Sequence, residues 1–282
     1  MTAVGPATPT NSPFTAARWA PPVPPEIDDR SPAGRPAASP PLATYEDLGY
    51  RDVFWASRSY EDACDRIALR ALLPSRPAPG SRLIEAGAGF GRLAAEYREF
   101  DAVVLLDASE IHVETARAEL AADSRFTVAL GDVLAIPEPD ASFDAAVMVR
   151  VRHHFEDPVP AIRELGRIVR PGGALVLEYA NKRNLKSVAR RLLGRQAWSP
   201  FDPGSVAYKP FHYDHSPVSV RRGLRSAGFR VERTRAVSLF RLPVVTRAVS
   251  PDLLARLEAP LQEPLGCVTP APSVFVLARK VG

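Results

Sequence analysis

The fold is decided by the stretch Leu83-Ile84-Glu85-Ala86-Gly87-Ala88-Gly89-Phe90-Gly91-Arg92, an apolar run that ends in a glycine-rich turn. Residues Arg82–Glu85 are predicted to form a strand and Arg92–Phe100 a helix. The glycines between them let the backbone turn sharply and approach a ligand closely, and the helix N-terminus offers free N–H groups to it. Because dinucleotide-binding folds also use such a loop, the stretch predicts a ligand site without identifying the ligand.

Predicted strands and helices alternate after this loop. The strands are Ala102–Asp107, Phe126–Leu130, Phe143–Val149 and Ala174–Ala180, and the helices between them are Glu110–Ala122 and Pro160–Val169. Residues 145–149 are continuously apolar, which is typical of a parallel strand buried on both faces. The alternation predicts an α/β fold with a doubly wound, mostly parallel sheet and helices on both faces.

Past residue 181 the alternation loosens. Helices are predicted at Leu185–Leu193 and Pro217–Ala227, and strands at Phe229–Val237 and Ser273–Arg279. Residues 196–216 are polar, aromatic and proline-containing, so they are predicted to be irregular, within a substrate-side insertion at 181–216. We expect one domain over residues 42–282. Residues 1–41 contain 11 of the 29 prolines and are predicted to be a disordered Pro/Ala-rich tail.

Three carboxylates occur at the ends of predicted strands. Glu85 precedes the first glycine of the loop by two residues, Asp107 ends the second strand, and Asp132 follows the third. The carboxyl ends of parallel strands meet at one crevice. There Glu85 suits the ammonium of an amino-acid ligand, Asp107 the two hydroxyls of a ribose, and Asp132 the exocyclic amine of an adenine. This combination needs no phosphate and disfavours a nicotinamide dinucleotide.

These motifs resemble, in order and spacing, those of class I S-adenosylmethionine (SAM)-dependent methyltransferases, in the small-molecule branch of the ubiquinone and menaquinone methyltransferases. The resemblance covers residues 81–178. It is carried by Glu85-x-Gly87-x-Gly89-x-Gly91, Leu105-Leu106-Asp107-Ala108-Ser109, Gly131-Asp132-Val133, Phe143-Asp144-Ala145-Ala146-Val147, His153-His154-Phe155-Glu156-Asp157-Pro158 and Leu165-x-Arg167-Ile168-Val169-Arg170-Pro171-Gly172-Gly173. It implies a Rossmann-like sheet of seven strands in which Ser273–Arg279 is the antiparallel C-terminal strand.

The resemblance also implies SAM as cofactor and S-adenosyl-L-homocysteine (SAH) as product. The residues predicted to bind this cofactor are Glu85, Gly87, Ala88, Gly89, Gly91, Asp107, Ala108, Asp132, Val133, Val149 and Arg150. The implied activity is in-line transfer of the methyl group to an O, N or C nucleophile of a small-molecule acceptor.

Two adjacent histidines, His153 and His154, follow the fourth strand, where a group would face the transferred methyl. They are the candidate catalytic residues, because histidine is suited to general-base work near neutral pH. Arg152, just before them, departs from the apolar residue that is usual in the family. It is interpreted either as a substrate contact or as a surface arginine.

A second group of residues is predicted to contact the acceptor: Trp55, Arg58, Tyr60, Tyr179, His212, Tyr213 and His215. The first three precede the first strand, where related enzymes often place a lid, and Arg58 is also a candidate for the cofactor carboxylate. Two histidines and an aspartate within residues 211–215 have the residue types of a metal site. A short irregular run rarely presents three such groups to one ion, so no metal is predicted.

Charge and composition leave other functions open. Residues 181–248 hold 15 Lys/Arg against 3 Asp/Glu, so an RNA methyltransferase that uses this basic face is an alternative. Against nucleic acid, the fourth strand lacks an Asn/Asp-Pro-Pro-aromatic motif, and neither cysteine ends a strand that faces the cofactor. A second alternative is a SAM-binding protein that transfers no methyl group. Without an apolar run of about 18 residues or a secretory signal, we expect a cytoplasmic monomer or homodimer.

Overall fold

The computed structural model describes residues 55–75, 77–209 and 212–282; the predicted tail, residues 1–41, lies outside them. The strands are β1 Arg82–Ala86, β2 Ala102–Asp107, β3 Phe126–Leu130, β4 Phe143–Met148, β5 Val169–Ala180, β6 Val206–Lys209, β7 His212–Asp214, β8 Phe229–Val237 and β9 Ser273–Lys280. The helices are α1 Ser59–Leu72, α2 Glu110–Leu120, α3 Val159–Ile168, α4 Leu185–Leu192, α5 Pro217–Ser226, α6 Pro243–Ala248 and α7 Pro251–Gln262.

Seven of these strands form one sheet in the order β3-β2-β1-β4-β5-β9-β8, and β6 pairs with β7 as a separate hairpin. Neighbouring strands from β3 to β5 are parallel, whereas β9 runs antiparallel to both β5 and β8. The predicted Rossmann-like fold class, with its antiparallel C-terminal strand, is confirmed. Strand order reverses between β1 and β4, and open α/β sheets bind ligands at such a switch point.

The central strands lie in the core because their side chains are apolar. Leu83 and Ile84 of β1 and Ala146 and Val147 of β4 have no exposed surface. Each fully buried Leu, Ile or Val side chain stabilises the fold by about 1.5–3 kcal/mol relative to exposure. Helix α1 packs against α7 and against β8 and β9, while α3 and α5 pack on each other and on β5 and β8. The switch point is therefore built on a rigid support.

Three local predictions differ from the structure. The helix expected at Arg92–Phe100 is only a 3₁₀ turn, Ala94–Tyr97. Strand β5 begins at Val169 rather than at the predicted Ala174. Residues 196–216 include the hairpin β6–β7, so the segment expected to be irregular is partly a sheet.

Candidate functional site

The glycine loop after β1 is held by the end of β2. The amides of Gly87 and Ala88 donate to the carbonyl of Leu106, at 2.7 and 3.0 Å. Gly87 has a φ of 81°, and a Cβ there would lie 2.1 Å from Cγ2 of Val151. Glycine is required because the loop turns through a left-handed conformation while it lies against the segment that follows β4. The loop thus contacts both the end of β2 and the segment that follows β4.

Glu85, the last residue but one of β1, is almost fully buried, with 2% of its surface exposed. Its Oε2 has no hydrogen-bond partner within the described part of the chain. Burial raises the pKa of this carboxyl to about 8, although Tyr97 and Arg92 act in the opposite direction. A buried carboxyl that lacks a protein donor is costly unless a ligand supplies one. The site therefore fits a cationic group, as the sequence predicted for an ammonium.

Asp107 and Asp132 lie on the same edge of the sheet, at the ends of β2 and β3. Asp107 accepts hydrogen bonds from the amides of Gly89 at 2.6 Å and Ser109 at 2.9 Å, and Asp132 accepts one from the amide of Leu134 at 2.8 Å. These bonds fix the orientation of each carboxylate and leave lone pairs for a ligand. The neighbouring Ala108, Val133 and Val149 of the predicted set follow the same strand ends.

His112, on α2, is a residue that the sequence reading missed. Its Nδ1 lies 4.0 Å from Oδ1 of Asp107, and its ring packs edge-on to Phe90 of the glycine loop, with 6.4 Å between ring centroids. Burial lowers the pKa of His112, and the nearby Asp107 raises it. His112 carried no signal in the sequence, because a histidine inside an amphipathic helix is usually only a packing residue.

Arg150, immediately after β4, has a left-handed backbone (φ 62°), which is uncommon outside glycine. Its guanidinium donates to Asp65 of α1 at 2.8 and 3.1 Å, and its amide donates to Glu178 at 3.0 Å. Burial opposes the charge, but Asp65 and Glu178 raise the pKa of Arg150 above its usual range. The side chain is therefore committed to ion pairs, and only the backbone remains for the predicted cofactor contact.

The segment before α1 contacts the glycine loop through Arg92. This guanidinium lies 3.8 Å from the centroid of the Trp55 ring, and it also pairs with Asp65 at 3.1 Å. Trp55 is thus close to the glycine loop. Arg58 lies 3.6 Å from Glu61 of α1, so part of its charge is already balanced within its own helix turn.

Tyr60 is a core residue rather than an acceptor contact, which corrects the expectation from the sequence. Only 2% of its surface is exposed. Its hydroxyl donates to Glu258 of α7 and accepts from the amide of Phe240 at 2.8 Å. Burial and the Glu258 carboxylate raise the pKa of Tyr60 above its usual range. The hydroxyl therefore links α1, α7 and the segment after β8.

His153 and His154, in the 3₁₀ turn Arg152–His154, lie next to a third histidine from the hairpin. The ring centroids of His153 and His154 are 4.0 Å apart, and those of His153 and His212 are 5.0 Å apart. One nitrogen from each of the three rings lies within 4.8 Å of the others. Burial and the two neighbouring histidines lower the pKa of His153 well below its usual value, so its imidazole is neutral at neutral pH.

The hairpin reaches this position because its end is fixed to the end of β5. The amide of His215 donates to the carbonyl of Ala180 at 2.8 Å, and the amide of Lys182 donates to the carbonyl of His215 at 3.0 Å. His215 itself is fully buried, with Nδ1 2.9 Å from Oγ of Ser205 and Nε2 3.2 Å from the carbonyl of Arg152. Both ring nitrogens are used by the protein, which corrects the expectation that His215 contacts the acceptor.

Arg152 is buried, with 1% of its surface exposed, so it is not the surface arginine that one reading of the sequence allowed. Its guanidinium carbon lies 5.7 Å from the centroid of the Tyr179 ring. Nε and Nη1 have no hydrogen-bond partner in the ranges that the structure describes. Burial lowers the pKa of Arg152 to about 10. Tyr179, one residue before the end of β5, is itself buried, and Tyr213 lies half-buried on β7.

Comparison with known proteins finds sequence similarity to methyltransferases. Residues 84–177 match the sequence family described as a methyltransferase domain. The chain is 36% identical over 128 residues to the 27-O-demethylrifamycin SV methyltransferase of Amycolatopsis mediterranei, which covers 43% of this chain and 46% of that protein. It is 33% identical over 134 residues to the ubiquinone biosynthesis O-methyltransferase of Methylocella silvestris, covering 44% and 50%. The chain thus matches about half the length of these relatives.

The fold is also that of solved methyltransferases. A SAM-dependent methyltransferase from Thermotoga maritima superposes with a TM-score of 0.56 at 22% identity, covering 82% of this chain and 94% of that one. The sequence match over residues 84–177 is to a methyltransferase domain, and the fold is shared with a solved SAM-dependent methyltransferase. The methyl donor of such enzymes is SAM, and the unpartnered Oε2 of Glu85 and the closely packed Gly87 fit it.

Proposed function

We propose that the protein transfers the methyl group of SAM to an O, N or C nucleophile of a small-molecule acceptor. The observation that carries this proposal is the shared edge of the sheet: Glu85, Asp107 and Asp132 end three adjacent strands, and His153 and His154 follow the fourth. The two relatives, a 27-O-demethylrifamycin SV methyltransferase and a ubiquinone biosynthesis O-methyltransferase, support a small-molecule acceptor.

The chain's own residues have three tasks in this reaction. Bound SAM supplies a methyl group that is already activated by its sulfonium. Glu85, Asp107 and Asp132 bind the donor, with the loop Gly87–Gly91 closing against it. Trp55, Arg58, His212 and Tyr213 are proposed to hold the acceptor and exclude water.

His153 or His154 is proposed to accept a proton from the acceptor as the new bond forms. Because the pKa of His153 is well below its usual value, this imidazole is a weak base. It is suited to an acceptor with an acidic proton, such as a phenol or an enol. If one histidine is the base, its replacement by alanine is expected to lower kcat by about 10²–10⁴-fold while SAH affinity is unchanged.

An RNA methyltransferase remains the alternative with an observation in its favour. Helix α4, Leu185–Leu192, belongs to the basic region and ends in Arg190 and Arg191. The cysteines do not support pyrimidine methylation by a cysteine adduct, because Cys64 lies on α1 and Cys267 in the 3₁₀ turn Pro264–Cys267. Salt-sensitive binding to tRNA or rRNA would favour the RNA reading.

The domain organisation and the cellular context are also proposals. We propose that residues 42–282 act as one domain and that the protein works in the cytoplasm as a monomer or homodimer. Among the helices of residues 55–75, 77–209 and 212–282, none has the length and apolar character that a bilayer crossing requires.

SAH formation from SAM tests the proposal directly. The purified protein would be incubated with SAM and with either the small-molecule fraction or the RNA fraction of a cell extract, with Asp107→Ala as the inactive control. The proposal predicts SAH only with the small-molecule fraction. SAH only with RNA would establish the alternative, and SAM binding with no SAH from either fraction would favour a non-methylating protein.

A further inference from the structure

We propose that His153, His154 and His212 together bind one divalent transition-metal ion. The three histidines come from two separate segments, the 3₁₀ turn after β4 and strand β7. One nitrogen of each lies within 4.8 Å of the others. In the sequence a different set, His212, Asp214 and His215, had the residue types of a metal site, and no metal was predicted there; both ring nitrogens of His215 contact the protein.

The arrangement of the rings is compatible with one shared ion. The centroid distances are 4.0 Å for His153–His154, 5.0 Å for His153–His212 and 5.1 Å for His154–His212. A metal bonded to imidazole at about 2.0–2.1 Å needs donor nitrogens roughly 3.3 Å apart in a tetrahedral site. The three donor nitrogens must therefore move closer to one another by roughly an ångström. Rotation about the soft χ2 torsion of histidine can supply this without a change of backbone.

The donor set selects the class of metal. Three imidazole nitrogens suit Zn²⁺, Co²⁺, Ni²⁺, Cu²⁺ or Fe²⁺, whereas Mg²⁺ and Ca²⁺ prefer carboxylate, carbonyl and water oxygens. Arg150 is a cation close enough to act on His153. Its guanidinium is paired with Asp65 at 2.8 Å and with Glu178 at 3.9 Å. A cation at the cluster would thus meet a guanidinium whose charge is already balanced by two carboxylates.

Three protein ligands leave coordination positions open, as in catalytic rather than structural metal sites. If the proposed function holds, these positions lie on the acceptor side of the sheet edge. A metal there would bind an oxygen of the acceptor and lower the pKa of that oxygen, so that the acceptor releases its proton to water and the coordinating histidines need not accept it. This role of the metal restricts the acceptor to molecules with an ionisable oxygen. The binding of a metal by the three histidines does not itself depend on methyl transfer.

Cobalt titration of the tag-free, chelator-treated protein tests the site. Co²⁺ bound by imidazole absorbs in the visible range, so binding is followed without any methyl acceptor. We expect one Co²⁺ per chain, displaced by Zn²⁺. His153→Ala, His154→Ala and His212→Ala should each weaken binding by at least the ~10–100-fold that loss of a ligand's hydrogen-bond partner costs. His112→Gln is the matched control, since it removes a histidine on α2 and should leave Co²⁺ binding unchanged.

SAH affinity, measured on the same samples, separates the outcomes. SAH binding without Co²⁺ binding overturns the metal site and leaves the methyltransferase proposal intact. Co²⁺ binding without SAH binding keeps the metal site and overturns the proposed function. Co²⁺ binding that survives all three alanine variants would place the metal elsewhere and also overturn the proposal. Circular dichroism of each variant shows whether a lost signal reflects unfolding.

Discussion

The strand-end carboxylates and helix α1 make contacts of very different range along the chain. At the strand ends Asp107 binds the amide of Gly89, 18 residues away, and Asp132 binds an amide only two residues away. On α1 Asp65 pairs with Arg150 across 85 residues, and Tyr60 binds Glu258 across 198. Sequence motifs reveal contacts between residues that lie close along the chain, whereas contacts between distant residues are brought together only in the folded chain.

This difference has an energetic counterpart. The strand-end carboxylates have lone pairs for a ligand, so substitutions there should change binding more than stability. Helix α1 is held by buried ion pairs and hydrogen bonds to distant elements, so substitutions there should change stability more than cofactor binding. Four substitutions, taken from the largest expected effect to the smallest, test this contrast.

Asp65→Ala is expected to have the largest effect. It leaves the guanidinium of Arg150 without its closest carboxylate, and breaking a buried ion pair in this way costs about 3–5 kcal/mol. Urea unfolding measures the loss. Asp62→Ala is the matched control, because Asp62 on the same helix is partly exposed and should cost about 1 kcal/mol or less. Equal losses for the two variants would contradict the long-range role of Asp65.

Tyr60→Phe is expected to destabilise the fold by about 1–3 kcal/mol, because Glu258 and the amide of Phe240 lose a buried partner. SAH affinity should not change. Tyr213→Phe, on the half-buried hairpin, serves as control and should alter stability by about 0.5 kcal/mol or less. If Tyr60→Phe were stable but impaired in turnover, the tyrosine would be an acceptor contact after all.

Glu85 gives the cofactor side a pH dependence. Its folded-state pKa is raised from 4.5 to about 8, so the folded protein holds a proton that the unfolded chain has released. The resulting stability is complete below pH 4.5 and is lost as the pH rises through about 8. A ligand ammonium favours the carboxylate, so SAH affinity should rise about tenfold per pH unit below this pKa.

Calorimetry in two buffers of different ionisation enthalpy detects the proton that Glu85 releases when SAH binds near neutral pH. Glu85→Gln should abolish this release. Release of the same size from Glu85→Gln would show that another group titrates.

Arg152→Leu should have the smallest effect, and in the opposite direction. It replaces a buried guanidinium, whose Nε and Nη1 lack partners, with an apolar side chain. Replacing buried charges by packed apolar groups is often neutral or stabilising by about 1–4 kcal/mol, and we expect a gain near the lower end. Arg152→Lys keeps the charge and should bring no gain. Destabilisation by Arg152→Leu would show that the guanidinium is paired in solution.

The comparison also explains what could be predicted from the sequence. The sheet and the positions of Glu85, Asp107 and Asp132 followed from hydrophobic runs and local motifs, whereas the antiparallel last strand followed from the resemblance to class I methyltransferases. Helix α7 escaped prediction because Pro260 lies inside it, and a proline ordinarily argues against a helix interior. The grouping of His212 with His153 escaped because it depends on the pairing of the β7 end with β5.

The central claim is that the three strand-end carboxylates hold SAM, and calorimetric titration with SAH tests it most directly. SAH and NADH would each be titrated into the wild-type protein, Asp107→Ala and the partly exposed control Asp123→Ala. We predict that SAH binds with an affinity on the order of micromolar and that NADH does not bind. Asp123→Ala should have no effect. Asp107→Ala should weaken SAH binding by at least ~100-fold, because it removes the carboxylate that is proposed to accept two charge-assisted hydrogen bonds from the ribose hydroxyls. Folded wild-type protein that fails to bind SAH would contradict the account.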